Sequence, residues 1–508
     1  IPCLENKNKV TITEPYSKAF IKNLSSKNKF HSSLKINLPK SLKFRKFSTN
    51  LLREKFDLIV IALSLSGIDF ISKELKKLKL KIPILVLTKG LKYEKKNNKI
   101  LTISEQLKKN YKGMNISVLK GPCLAKELAR KNHTSVIIAN KNIQIAKKIG
   151  KMISTKYYII EFSNDVNSWT YSRSIQNAMV KIAEIFGEKT IFMGEDMEIA
   201  GAFGMNLPLR AKGHKEKLLD MPLSESIIIH SATGAALGGM RPVAEIQFGG
   251  FAALAMNPLI NNAAQLRWRW GAEVPMTVRI PIGGKTRSGP YHANMIESWF
   301  TNDPGLVIVF PSNPQDAYDL LIESHNLPDP VIFLEHIGLY GLRGGLTGWG
   351  DNINQVVRPN DVIERIDNGE SKIGKGELIR GGKDITIVTW GAMVHVAIKT
   401  AKIASKMGIE VEIIDLRTLL PFDSNICIES VNRTGKLLVL QEAQWTGGFG
   451  HTISSRIIEE SFWNLEYPPV VIGALDTPVP FSPTLEDFSI PSVEIVLRHI
   501  ERACSKKY

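Results

Sequence analysis

Cysteine is scarce: among 508 residues there are only 4, Cys3, Cys123, Cys427 and Cys504, and none has a neighbour at paired spacing. That excludes a disulfide framework and a thiolate zinc site, and it points to a reducing compartment, the cytoplasm. Long hydrophobic runs are absent as well. No window reaches the roughly eighteen uncharged apolar residues of a membrane span, and the N-terminus lacks the short apolar core of a signal peptide. The chain opens on Ile1 in place of Met, which reads as a start within a gene or a processed end. Acidic residues are missing from the first third. Residues 1–160 hold 35 of the 66 Lys+Arg but only 9 of the 49 Asp+Glu, so a net charge of about +26 there meets about −9 in the remainder. Those lysines lie among Asn and Ile without interleaved aromatics, so they read as a solvated surface and no nucleic-acid interface is expected.

What is present is alternation. In residues 7–160 the apolar runs KVTI, FDLIVIALS, IPILVLT, NISVLKG and TSVIIAN alternate with Lys-rich amphipathic stretches such as DFISKELKKLK. Alternation of this kind predicts a mostly parallel sheet with helical crossovers, binding ligands at the carboxyl ends of its strands. After Trp169 the composition changes and the alternation resumes twice. The expected architecture is α/β, three consecutive domains with mostly parallel sheets: residues 1–166, 169–345 and 375–508, with a Gly-, Asn- and Asp-rich linker at 346–374. A long helix is expected over NPLINNAAQLRWRWGAE, residues 257–273.

The most informative stretch runs from Leu218 to Phe251. It places one carboxylate, Glu225, after a short Pro-bearing loop, then the small-residue helix ATGAALGGM, then the strand VAEIQF ending in Gly-Gly-Phe. An acid beside an apolar, Gly-rich wall suits proton exchange with a bound heteroaromatic ring. Three plainer readings stay open: a helix-capping Glu after Ser224, a core Phe at 251, and an exposed loop His at 292.

Two resemblances extend this reading. The runs LTKGL (Leu87 to Leu91), GPCLAKEL (Gly121 to Leu128) and NDV (Asn164 to Val166) resemble the nucleotide-binding half of NAD-dependent glycerol-3-phosphate dehydrogenase. By that resemblance the first domain is a truncated Rossmann-like fold in which Lys89 would touch substrate and NAD, with Gly121 and Ala125 lining their site. The Gly-rich turn that should follow its first strand is missing, Gln176-Asn177 stands where the family has a Lys-Asn pair, Cys123 replaces a usual Ser, and the helical substrate domain is absent. Dehydrogenase activity of this half and a non-catalytic docking role are the alternative functions.

From Tyr171 onward, MGED (Met193 to Asp196), MPLSES (Met221 to Ser226), GGMRPVAEIQF (Gly238 to Phe248), YHA (Tyr291 to Ala293), DPVIFLEH (Asp329 to His336), IDLRTLLPFD (Ile414 to Asp423) and TPVPFSPTLE (Thr477 to Glu486) resemble the beta subunits of the thiamine-diphosphate-dependent decarboxylating component of 2-oxo acid dehydrogenase complexes. The resemblance implies transketolase-like pyrimidine-binding and C-terminal domains. It implies oxidative decarboxylation of a 2-oxo acid with acyl transfer to lipoyl groups. Glu225 would activate the thiamine ring, Phe251, Leu223 and Gln247 would pack its pyrimidine, and His292 would assist transfer; the family's usual His-Ser reads His-Ala here. The Gly-Asp-Gly turn and later Asn that hold the diphosphate and its magnesium are not found, so no metal ligand is assigned to this chain. An alpha subunit in an α2β2 heterotetramer would supply them, and a dihydrolipoyl acyltransferase core would receive the acyl group.

Overall fold

The structure, a computed structural model, describes residues 8–14, 30–31, 36–39, 41–76, 78, 82–88, 91–94, 99–103, 106–107, 115–120, 134–156, 158–163, 169–199, 201–340, 354–355 and 357–505. The described residues before Trp169 form one compact unit and those from Trp169 onward another. No helix among the described residues is long and apolar enough to cross a membrane.

In the first unit β1 (Ile59–Ile61), β2 (Ile84–Val86), β3 (Ile116–Lys120), β4 (Thr134–Ala139) and β5 (Tyr158–Ser163) make a five-stranded sheet in sequential order. Period-two alternation divides its side chains between two faces. Ile84 and Val86 pack with Ile68 and Leu75 of α1 (Leu65–Lys76), whereas Leu85, Val136 and Ile138 pack with Ala146 and Ile149 of α2 (Ile143–Ile153). Two details differ from the sequence expectation. β3 and β4 pair antiparallel, and Thr11–Glu14 pairs with Lys43–Lys46 outside this sheet. Lys89, Gly121 and Ala125 lie outside the described residues.

The second unit is built on two sheets. The first has the order β7 (Leu218–Asp220), β6 (Thr190–Gly194), β8 (Arg241–Glu245), β9 (Thr277–Ile282), β11 (Val331–His336), β10 (Val307–Val309) and β15 (Thr418–Leu420). Every pair is parallel except the last. β9 and β11 are buried along all six residues, as central strands covered on both faces are. The flanking helices α3 (Tyr171–Phe186) and α5 (Pro314–Asn326) start on side-chain caps: Thr170 accepts from the Arg173 N–H and Asn313 from the Asp316 N–H. Each such cap contributes about 1 kcal/mol. The second sheet has the order β12 (Glu377–Arg380), β14 (Val411–Asp415), β13 (Ile385–Thr389), β16 (Leu437–Gln444) and β17 (Val470–Ala474), with only β12 antiparallel. β15 leaves this second body to close the edge of the first sheet against β10.

The expected linker is ordered where it is described. Residues Asp361–Asp367 form a helix, and Arg365 and Lys372 reach the acidic face of α5, where Arg365 pairs with Asp319 and Glu323 and Lys372 with Asp316 and Asp319. Arg417 joins Asp316 and also holds the Lys375 and Gly376 carbonyls. Burial alone would raise the Asp316 acid, but Lys372 and Arg417 hold it below the usual carboxylate range. The expected long helix over 257–273 is broken into a π turn at Asn257–Asn262, a short 3-10 turn and an α segment at Leu266–Trp270, with Pro258 opening the π turn.

A pH dependence follows from this seam. Asp415, fully buried, is pushed up to about 7 by burial and by the charge of Asp316, against hydrogen bonds from Ser312 and the Arg417 N–H. The folded state therefore keeps a proton that the unfolded chain releases near the ordinary Asp value of about 3.9. The resulting stability is whole below that value, declines as pH rises, and levels off above about 7. Thermal melts of the second unit from pH 4 to 8 should show this decline, flattened in Asp415→Asn; equal slopes in both proteins would refute it.

Candidate active site

The carboxyl ends of β6, β7, β8 and β9 all open on one edge of the first sheet, where ligands of parallel sheets bind. β6 delivers Glu195 and Asp196. β7 runs into a short loop in which the Met221 N–H returns to the Gly194 carbonyl at 2.8 Å, and α4 (Glu225–Leu237) begins directly afterwards. Ser224 occupies the N-cap position without a side-chain cap bond, so Glu225 is the first helical residue.

Glu225 is 5 % exposed, and its carboxylate makes no hydrogen bond or ion pair among the described residues. A buried carboxylate ordinarily finds a partner, and the first turn of a helix only partly compensates its charge. Its neighbour is another acid. Glu195 is raised above the usual glutamate range by burial and then by the charges of Glu225, Asp196 and Glu245. Four carboxylates thus gather along this edge, and Gln247 lies among them, its Nε2 facing Asp196 Oδ2 at 3.4 Å.

The fourth side of the edge is aromatic. Phe248 meets His292 edge to face at a centroid distance of 4.5 Å, and Phe251 meets the same imidazole at 5.7 Å and Phe248 at 5.9 Å. Phe203 continues the cluster at 5.6 Å from Phe248. Gly250 permits the approach, since a Cβ there would lie 3.0 Å from the Tyr291 carbonyl oxygen. His292 and Phe251 are half-buried, so each keeps an open face.

The structure therefore brings Phe251 and His292 into contact, and places Glu225 and Gln247 along the acidic row of the same edge. Leu223 stands apart at 81 % exposure, on the rim beside α4. Sequence reading missed Phe248, whose ring is the nearest to His292; its signal was its place in the run VAEIQFGGF, between two residues already singled out. It also left Glu195 without a chemical role, although its charge is coupled to that of Glu225. Arg241 serves α5, donating to the carbonyls of His325 at 2.7 Å and Leu327 at 3.1 Å.

Comparison with known proteins identifies the domains. Residues 167–342 match the transketolase pyrimidine binding domain, 374–496 the transketolase C-terminal domain, and 2–146 the N-terminus of NAD-dependent glycerol-3-phosphate dehydrogenase. The beta subunit of acetoin:2,6-dichlorophenolindophenol oxidoreductase from Cupriavidus necator is 40 % identical over 301 residues, 59 % of this chain and 83 % of the relative. The pyruvate dehydrogenase E1 component subunit beta of Acholeplasma laidlawii is 36 % identical over 335 residues, 65 % of this chain and 95 % of the relative. The 2-oxoisovalerate dehydrogenase subunit beta of Bacillus subtilis is 35 % identical over 321 residues, 61 % of this chain and 92 % of the relative. Among solved structures, a split-gene transketolase described as an inactive beta4 tetramer shares the fold, with a TM-score of 0.51 and 20 % identity over 67 % of this chain and 99 % of that one. On the strength of the matches from Trp169 onward, the chain belongs to the family of 2-oxo acid dehydrogenase beta subunits.

Proposed function

We propose that this chain holds the pyrimidine ring of thiamine diphosphate in a 2-oxo acid dehydrogenase and hands the resulting acyl group to a lipoyl arm. The observation that carries the reading is Glu225, a buried carboxylate without a hydrogen-bond partner among the described residues, at a sheet edge that also carries aromatic faces. The side chains fit the cofactor at its ring end. Glu225 could exchange a proton with a ring nitrogen, Phe251 would offer a flat apolar face, and Gln247 and the rim residue Leu223 would complete the wall around the ring. When bound, thiamine diphosphate supplies a nucleophilic carbon and an electron sink for loss of CO2. His292, seated on Phe248 and Phe251, delivers a proton to the departing sulfur of the lipoyl disulfide.

The charged end of the cofactor needs oxygen ligands for a diphosphate and a divalent ion, which we assign to an alpha subunit in an α2β2 assembly, because the turn that usually provides them is not found in this sequence. A dihydrolipoyl acyltransferase core is the acceptor. Calorimetry tests the division of labour: the chain alone should bind thiamine diphosphate weakly, at least about tenfold weaker than the assembled complex, a gap of about 1.4 kcal/mol. Tight stoichiometric binding without any partner would overturn it.

A further inference from the structure

We infer that the C-terminal body positions the loop carrying His292, through the carboxylates of Glu442 and Glu486; the inference deepens the reading above and rests on it. The loop leaves β9 at Gly283, whose φ of +101° carries the backbone directly past His336. A Cβ at that position would lie 2.3 Å from His336 Nε2. Glu442, on β16 and 4 % exposed, fills the space beside them. Its Oε1 accepts from the Gly284 N–H at 2.6 Å, and its Oε2 lies 2.7 Å from His336 Nε2. Since His336 Nδ1 accepts from the Gly338 N–H at 3.1 Å, the ring proton sits on Nε2 and is donated to Glu442. One buried carboxylate thus ties β11, β16 and the root of the loop together.

The next residues are held by Glu486, which has no exposed surface. Its Oε1 accepts from the Lys285 N–H at 2.7 Å and its Oε2 from the Arg287 guanidinium at 2.8 Å, while Asp487 takes another nitrogen of Arg287 at 3.0 Å. Lys285 and Arg287 adopt φ values of +60° and +59°, a region that side-chain-bearing residues rarely occupy and keep only where their surroundings hold them. Backbone of this kind, fixed from one body, ends five residues later in an imidazole seated on aromatics of the other. Misplacing a reacting group by an ångström costs about a hundredfold in rate. Neither glutamate is among the side chains placed around the cofactor ring, and both act through the loop backbone, so both are positioning residues.

The experiment uses the enzyme assembled from both subunits, with a dye acceptor reporting decarboxylation and an isolated lipoyl domain reporting acyl transfer. Glu442→Gln sets an amide donor against the His336 proton. Arg287→Met removes the outer contacts to Glu486 and Asp487 without entering the core. We expect lipoyl acylation to fall by about 10- to 100-fold in Glu442→Gln and by several-fold in Arg287→Met, with dye-linked turnover changing less than about threefold. Amide hydrogen exchange across residues 284–294 should quicken in both variants. Equal losses in the two activities, or unchanged exchange in the loop, would overturn the inference; should Glu442→Gln fail to assemble, Arg287→Met decides by the same criteria. A wild-type enzyme that does not acylate the lipoyl domain, or a His292→Ala variant that acylates it at full rate, would instead remove the functional reading itself.

Discussion

Glu225→Gln is expected to lower 2-oxo acid decarboxylation by about 10³-fold while leaving the chain folded and assembled. The substitution keeps size and shape but removes the proton that the carboxyl group can take and return. Glu225 makes no hydrogen bond or ion pair among the described residues, so the fold loses no contact with the change. The competing reading, in which Glu225 only starts α4, gives the opposite pattern: a loss of about 0.3–1 kcal/mol in stability from the weakened charge–dipole interaction, with turnover intact. Steady-state kinetics on the reconstituted complex together with a denaturant melt separate the two. Retention of more than about a tenth of wild-type turnover would end the assignment of Glu225 as the ring-activating acid.

Arg279→Met should destabilise the second unit by about 3–5 kcal/mol. Arg279 on β9 lies between Glu335 on β11, which it meets at 2.6 and 2.9 Å, and Glu245 on β8, at 2.6 Å, and all three side chains are at most 2 % exposed. Tyr340 donates a further hydrogen bond to Glu335. Removing the guanidinium leaves two carboxylates in the middle of a sheet without their counter-charge, and stranded charge costs more than the pair itself contributes. The urea midpoint of the isolated chain reads the loss. Replacing Arg279, Glu245 and Glu335 together with apolar residues should recover much of it, because the penalty resides in the uncompensated charges. A single-variant loss below about 1 kcal/mol would show that the cluster is solvated or that its carboxylates take up protons at little cost.

Much of the frame was legible because it depends on local pattern. The runs MTVRIPI and PVIFLEH read as buried strands even though Arg279 and Glu335 sit inside them, since the apolar residues on either side dominate the pattern. Glu225, Phe251 and His292 each stand at a break between a strand and its following element, where a parallel sheet presents its ligands, but it is the family resemblance that singles them out together. What escaped depends on partners distant in sequence. Arg365 and Lys372 look like solvated charges in a Gly-rich linker until α5 presents Asp316, Asp319 and Glu323 to them. The left-handed backbone at Lys285 and Arg287 carries no sequence signal, because Glu486, some two hundred residues away, stabilises it. The break in the expected helix over 257–273 is of the same kind: apolar spacing continues through Asn257–Asn262 while the backbone widens into a π turn.

The short strand Thr418–Leu420 has a consequence for how this protein melts. It is spelled within the C-terminal body, yet it completes the border of the sheet whose opposite edge carries Glu225. The C-terminal body cannot open without stripping a strand from the first sheet, so heat should dissolve both in a single cooperative step, and a chromosomal split of the gene between them would leave one half short of its border strand and the other with that strand unpaired.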